Sequence, residues 1–360
     1  MSASFISYAG NRPWLRGLAA CGAITAAGLT GQVAEAQERV VVSTYSGVWN
    51  TMQRTCIIDP FNKLGVGIEV IGEPGVSSVT LTKLRQQKDN PEIDVAWLDG
   101  NFSELAHSDG LVEAMEPSAI AKLAEMVDQG VFKDKNGKIY ALGTGFYSTG
   151  ILYSTKSLAK APTSWWDLWS PELANRVISP SPAQAIFVPL FLHLNKLLGG
   201  SSSNFEPAIE KFRSLKAAAF YDSTGVVQSA IQSGEVLAGA YYINATWSLA
   251  DQGVAVAATV PKEGVPAGDT RIHLVKNSKK RAAAEKFINF AVSPESLNCL
   301  GEKLYLGPPL KNPQLSDAAK KKMPWGENGS VQNLIMPDWN EVGAKRAEIV
   351  DLWNRRVISR

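Results

Sequence analysis

Short β-branched or apolar runs alternate with amphipathic stretches along the first third of the chain. Strand-like runs fall at residues 40–44, 67–71 and 93–98, and helical patterns fall at residues 49–64 and 79–87. Strands that alternate with helices predict a parallel sheet with right-handed crossovers. In such sheets ligands collect at the loops that follow the strands. Residues 45–47 and 99–101 are two such loops.

A second block with the same alternation occupies the middle of the chain. Its strand-like runs are 176–179, 236–242 and 254–260, and its helical patterns are 185–198 and a helix ending at 229–234. Residues 269–275 are strand-like again and precede a helix at 282–290. This late return predicts that one lobe is interrupted by another. We expect lobe 1 at 37–147 and 266–310, lobe 2 at 148–265, and a helical segment at 311–360 on lobe 2.

The first 36 residues have the pattern of a signal peptide. Arg12 and Arg16 precede an uncharged stretch at 17–33, and Ala34 and Ala36 place small residues before a cleavage point at residue 37. The pattern therefore predicts export to the periplasm. An N-terminal membrane anchor and a lipid anchor on Cys21 are the alternatives. No later apolar run reaches the roughly twenty residues that span a bilayer.

The composition narrows the function further. The 324 residues after the signal favour two lobes and carry a formal charge of +1, so no basic excess points to nucleic acid. Their two cysteines, Cys56 and Cys299, are expected to form a disulfide in an oxidising compartment. Neither C-x-x-C nor H-x-x-x-H spacing occurs, so no metal and no cofactor are predicted.

Several motifs carry a resemblance to a known family. Residues 161–169 read APTSWWDLW, 233–236 read SGEV, 261–264 read PKEG, and 287–290 read FINF, followed by SPE at 293–295. In this order and spacing they resemble the periplasmic spermidine/putrescine-type solute-binding proteins of ABC importers. The resemblance covers essentially the whole chain after the signal.

This resemblance implies an α/β type II periplasmic-binding-protein fold, in which two αβ lobes close on a ligand cleft about a hinge. It also implies a monomer that captures a small molecule and passes it to the membrane permease of an ABC importer, without chemistry on the ligand. A ligand that touches both lobes favours the closed form.

An exported enzyme is the alternative class of function. The G-x-S-x-G elbow of many serine hydrolases is absent. A glycoside hydrolase stays open, because its two carboxylates have no fixed spacing in sequence.

The return strand holds the residues that bear on ligand charge. Asp269 aligns with an aspartate that holds an amine in the family, whereas Ala267 stands where the family has tryptophan. Arg271 lies two residues after Asp269 and therefore on the same strand face. We expect Asp269 to hold a cationic nitrogen and Arg271 a carboxylate or hydroxyl group. The ligand is then a polyamine, or a zwitterion related to amino acids or opines.

Other candidate contacts lie at strand ends. The alternatives weighed for them are a turn, a helix cap or core packing, and Trp247 matches a ligand-stacking position of the family. A ferric site at Tyr241 and Tyr242 is not expected, since neighbouring strand residues face opposite ways. The candidates are Tyr45, Ser46, Asp99, Asn101, Tyr242, Asn244 and Trp247.

Overall fold

The computed structural model describes residues 37–326 and 328–359, apart from the side chain of Asn340. The predicted signal peptide at 1–36, including Cys21, lies outside the described residues. Within those ranges, no helix combines the length and the apolar character needed to cross a membrane.

Eleven strands of the described chain form one continuous sheet. The strands are β1 (Glu38–Tyr45), β2 (Ile68–Gly75), β3 (Val95–Asp99), β4 (Val112–Glu113), β5 (Val131–Lys133), β6 (Ile139–Ser154), β7 (Val177–Pro180), β8 (Ala217–Tyr221), β9 (Ala238–Tyr242), β10 (Val256–Thr259) and β11 (Ala267–Val275). Their order is β2-β1-β3-β11-β6-β9-β7-β8, with β4 beside β11 and both β5 and β10 beside β6.

Strand direction divides the sheet into two parts that share β6. Strands β1, β2 and β3 are mutually parallel, and so are β7, β8 and β9, which confirms the parallel arrangement expected from the alternation of strands and helices. Strand β6 runs antiparallel to β11 through residues 142–148 and antiparallel to β9 through residues 149–153. One long strand thus belongs to both parts.

Helices cover both parts of the sheet, as crossovers between parallel strands require. They are α1 (Gly47–Gln53), α2 (Asp59–Lys63), α3 (Ser77–Gln86), α4 (Gly100–Ser108), α5 (Phe187–Leu197), α6 (Glu206–Arg213), α7 (Thr224–Ser233), α8 (Ile243–Asp251), α9 (Arg281–Ala291), α10 (Pro294–Leu304), α11 (Asp317–Lys321) and α12 (Trp339–Trp353). A π-helical turn, Arg54–Ile58, joins α1 to α2.

Two large hydrophobic cores hold these layers. One includes Trp97 and Phe287, which meet edge to face with ring centroids 5.9 Å apart. The other includes Trp165, Phe187 and Trp353. Trp165 is fully buried and its indole N–H donates to the carbonyl of Gly264 at 2.9 Å, so this motif tryptophan is part of the core.

Some elements have bounds that differ from those predicted from the sequence. The predicted helix at 49–64 starts earlier, at Gly47, and contains the π-helical turn. The predicted strand at 236–242 is followed at once by α8, so Asn244 and Trp247 are helical. Cys56 in the π-helical turn and Cys299 in α10 are joined by a disulfide, with their Cα atoms 5.5 Å apart.

Candidate ligand-binding site

A cleft lies where the ends of β1 and β3 face β9 and the loop after β7. Its cavity volume is about 20 Å³, roughly the space of one water molecule, so a solute can enter only when the two walls move apart. Both parts of the sheet contribute to its walls, since some lining residues come from β1 to α4 and others from residues 184–242. The lining residues are Tyr45, Ser46, Trp49, Gly75, Val76, Ser77, Asp99, Gln184, Ala185, Thr224 and Tyr242.

Aromatic rings form one wall of this cleft. The ring centroid of Trp49 lies 5.5 Å from that of Tyr45 and 5.1 Å from that of Tyr242. Tyr147, on β6, is 6.1 Å from Trp49 and 4.9 Å from Tyr242. All of these contacts are edge to face, so the rings present faces at several angles. Ring faces attract ammonium groups.

Asp99 supplies the carboxylate of the cleft. It ends β3 and is 5 % exposed. The hydroxyl of Ser77 donates to its Oδ2 at 2.5 Å, while the backbone N–H of Asp99 donates to the same hydroxyl at 3.0 Å. Burial raises the pKa of Asp99 to about 7, and repulsion from Asp269 adds to that rise. Hydrogen bonds from Ser77 and Tyr147 oppose it.

The mouth of the cleft is closed by contacts between the two parts of the sheet. The hydroxyl of Ser46 lies 2.9 Å from that of Ser223 and 3.0 Å from that of Thr224. The Thr224 hydroxyl also lies within 3.0 Å of the Ser46 carbonyl oxygen and donates to it. Ser78 donates to the carbonyl of Ala183 at 2.9 Å. These hydroxyls bridge residues more than a hundred positions apart.

Local hydrogen bonds hold the loop between β1 and α1. The backbone N–H of Tyr45 donates to Gln53 Oε1, and the Thr44 hydroxyl donates to Asn50 Oδ1, both at 2.9 Å. Gly47 has a φ of +61°, and a Cβ there would meet the backbone nitrogen of Gly225 at 3.2 Å. Glycine is therefore suited to this close approach.

Asp269 and Arg271 share a face of β11, as expected, and pair with each other. Arg271 Nε donates to Asp269 Oδ1 at 2.5 Å, and both side chains are 1 % exposed. Arg271 Nη1 also donates to Glu104 Oε1 at 2.6 Å, and the guanidinium lies 3.5 Å from the ring centroid of Phe132. The guanidinium is thus engaged within the protein, in a buried ion pair with Asp269.

The remaining Asp269 oxygen receives a partner from the C-terminal segment. The indole N–H of Trp339 donates to Asp269 Oδ2 at 3.1 Å. A Cβ on Gly100 would meet the Trp339 ring at 2.7 Å, so only glycine permits this approach. The backbone N–H of Ala267 donates to the carbonyl of Ile335 at 3.2 Å. Trp339 therefore occupies the space beside Asp269 that a ligand amine would need.

The other candidate residues lie apart from the cleft lining. Asn101 is fully buried in α4, and Asn244 donates to the carbonyl of Leu304 at 3.1 Å. Trp247 packs with Tyr305 and lies 5.9 Å from Lys322 Nζ. Of the nine candidates, the structure brings Tyr45, Ser46, Asp99 and Tyr242 together in this cleft.

Sequence reasoning did not single out Trp49, Ser77 and Gln184, which line the cleft, or Tyr147, which packs against two of its aromatic rings. Trp49 lies four positions after Tyr45 as the third residue of α1, so it is in the first helical turn after the loop at 45–47. That spacing is a usable signal. Tyr147 carries no such signal, because it lies opposite Gly268 in the part of β6 that pairs with β11 and meets the rings of Trp49 and Tyr242 only through tertiary packing.

Comparison with known proteins finds similarity to bacterial solute-binding proteins. Residues 57–324 match the family described as bacterial extracellular solute-binding protein. The chain is 25 % identical over 290 residues to spermidine/putrescine-binding periplasmic protein 1 of Haemophilus influenzae, covering 78 % of each chain. It is 24 % identical over 286 residues to the gamma-aminobutyric acid-binding protein of Pseudomonas aeruginosa, covering 76 % of this chain and 78 % of that one.

The solved structures agree on the fold. The periplasmic binding protein AfuA from Actinobacillus pleuropneumoniae, solved with fructose-6-phosphate, superposes with a TM-score of 0.71 at 19 % identity. The match covers 90 % of this chain and all of that one. The fold is accordingly the two-lobed α/β type.

Proposed function

Because this chain belongs to the family of bacterial extracellular solute-binding proteins, a non-enzymatic class of transport component, we propose that it captures a small amine-bearing solute and delivers it to an ABC importer. The relatives named for spermidine, putrescine and gamma-aminobutyric acid take ligands that all contain an amine. The polyamine and the zwitterion expected from the sequence therefore share the group that this cleft suits.

The observation that carries this proposal is the position of Asp99. A buried carboxylate with a pKa near 7 costs free energy to ionise in the unliganded cleft. A cationic nitrogen offsets that cost through a charge-assisted hydrogen bond, and the faces of Tyr45, Trp49 and Tyr242 add cation–π attraction. Neutral sugars offer neither interaction.

The second carboxylate near the cleft, Asp269, is already compensated. Arg271 and Trp339 occupy both of its oxygens in the described structure. Among the described lining residues, Asp99 is therefore the carboxylate left for a cation. We infer a ligand held by one principal cationic nitrogen, and the zwitterionic class no longer depends on Arg271.

Capture would proceed by hinged closure. We place the lobes at 37–147 with 266–310 and at 148–265, so that β6 and the segment before β11 form the crossings between them. A solute in the cleft contacts both lobes and thereby stabilises the Ser46 contacts with Ser223 and Thr224. The closed form is then the one that the permease recognises. We further propose export to the periplasm with removal of residues 1–36, and a monomeric state.

A thermal-shift screen tests this function. Purified protein is heated with putrescine, spermidine, amino acids, opines and, as uncharged controls, sugars. At a hundredfold excess over Kd a ligand stabilises the protein by about 2.7 kcal/mol. We expect a subset of the amines to raise Tm and the sugars to have no effect. Stabilisation by a sugar alone, or by amines equally in Asp99→Asn, would refute the proposal.

A further inference from the structure

Trp49 carries a hydrogen-bond donor inside the cleft that has no partner in the described protein. We propose that the solute bears a hydrogen-bond acceptor, such as a hydroxyl or carboxylate, in addition to its cationic nitrogen, and that Trp49 selects it. This inference rests on the proposed function and narrows the ligand from amines in general to amines with an acceptor.

The indole of Trp49 is buried and lines the cleft. The residue is 3 % exposed, and its Nε1 has no hydrogen-bond partner among residues 37–326 and 328–359. An indole N–H can only donate. A buried donor without an acceptor is costly, so its partner is expected to come from what fills the cleft.

Several other indoles of the described residues find an acceptor within the protein. Four of them donate to an acceptor within 3.2 Å, namely Trp97 to Thr144, Trp165 to Gly264, Trp169 to Lys211 and Trp339 to Asp269. Two of these, Trp97 and Trp165, lie deep in hydrophobic cores and still find an acceptor. Trp49 departs from this pattern, and it lines the cleft.

The orientation of the Trp49 ring is fixed by its neighbours. Edge-to-face contacts with Tyr45, Tyr147 and Tyr242 surround it on three sides. The bond from the Tyr45 backbone to Gln53 ties the last residue of its helix to the end of β1. Rotating the indole toward another acceptor would break these contacts, so the acceptor must come to the indole.

The chemistry of the solute follows from the two polar groups of the cleft. Asp99 requires a donor, and a protonated amine provides one. A protonated diamine consists only of donors and alkyl groups, so it would leave the Trp49 N–H unpaired. An amino alcohol or amino acid satisfies both. The Tyr45 hydroxyl, which also has no partner of hydrogen-bond geometry among the described residues, can donate or accept and is compatible with either class.

Isothermal titration at pH 8 with matched amines tests the proposal. The four-carbon probes are butylamine, putrescine, 4-aminobutanol and gamma-aminobutyric acid, and a two-carbon series of ethylamine, ethanolamine and glycine covers a shorter separation. We expect at least one acceptor-bearing probe to bind about tenfold more tightly than the alkylamine of its length, as a hydrogen bond of ordinary strength predicts.

The variant Trp49→Phe keeps a ring and removes the N–H. It should weaken every amine to some degree, because phenylalanine is the poorer cation–π partner, and it should erase the tenfold preference, measured within the variant as the affinity ratio of the acceptor-bearing probe to the alkylamine of its length. Trp166→Phe is the matched control, because Trp166 packs beside Trp169 and Lys211 and does not line the cleft. It should leave every affinity unchanged.

Two results separate this inference from the function on which it rests. If amines bind in an Asp99-dependent way but the acceptor makes no difference, or if putrescine binds most tightly of all, the inference is wrong and the function stands. Such a result would mean that water satisfies the Trp49 donor. If no amine of either series binds, both fail.

Discussion

Replacing Asp99 by asparagine removes the charge on which amine capture depends and keeps a side chain of the same shape. In the unliganded cleft, burial raises the pKa of Asp99 from 3.8 to about 7. A shift of that size means that ionising the carboxyl costs roughly 4 kcal/mol more in the folded protein than in the unfolded chain.

The sign of the pH dependence follows from that shift. Because the folded pKa lies above the unfolded value, the stability that Asp99 contributes is fully present below about pH 4 and is lost as the pH rises through 7. Unliganded wild-type protein should therefore lose stability relative to Asp99→Asn between pH 4 and 8, by as much as about 4 kcal/mol. A bound cation reverses this, since it favours the ionised carboxylate.

Calorimetry in buffers of different ionisation enthalpy measures the proton released on binding. With a pKa of about 7, amine binding should release about 0.9 proton at pH 6 and about 0.1 at pH 8. Affinity should fall close to tenfold per pH unit below 6, and Asp99→Asn should abolish the dependence. Binding at pH 6 without proton release, or unchanged amine affinity in Asp99→Asn, would refute the reasoning.

Three further predictions concern the scaffold around the site. Arg271→Gln leaves Asp269 without its cation and should lower the free energy of unfolding, measured by urea titration, by about 3–5 kcal/mol. The control Arg39→Gln breaks an exposed pair with Glu69 and should lower it by less than about 1 kcal/mol. Equal losses in the two variants would contradict the ion-pair account. Replacing Cys56 and Cys299 together by alanine removes a disulfide between residues 243 positions apart and should lower the free energy of unfolding by about 2–5 kcal/mol. Ligand affinity should stay within twofold of the wild-type value. A larger change in affinity would show that the disulfide shapes the cleft. Small-angle scattering should show compaction when a solute saturates the cleft, and an unchanged radius would argue against hinged closure.

Loop positions after parallel strands were accessible from the sequence. Tyr45, Ser46 and Asp99 follow β1 and β3, and the carboxyl ends of parallel strands meet at one edge of a sheet. The pattern of β-branched runs located those strands within a few residues. This is why these three candidates converge on one cleft.

Residues after β9 could not be placed from the sequence, because successive side chains point in different directions in a strand and in a helix. The chain turns into α8 at Ile243, so Asn244 points toward the carbonyl of Leu304 and Trp247 toward Lys322. Two residues on one strand face, Asp269 and Arg271, were recognised as neighbours. The partners that surround this pair, Glu104, Phe132 and Trp339, come from three distant segments.

Residues that reach the site through tertiary contacts cannot be recognised from a local sequence pattern. Trp339 reaches Asp269 across 70 positions, and the absent ring at Ala267 gave no reason to search the C-terminal segment for one. Tyr147 lies in the part of β6 that pairs with β11, and its ring meets that of Tyr242 only through tertiary packing.

A crystal structure of the protein with the tightest-binding amine of the titration series tests the central claim most directly. The account predicts the cationic nitrogen within about 3 Å of an Asp99 oxygen, between the rings of Trp49 and Tyr242. It also predicts that Arg271 and Asp269 remain paired. A solute bound with its nitrogen on Asp269 after displacing Trp339, or bound outside this cleft, would contradict it.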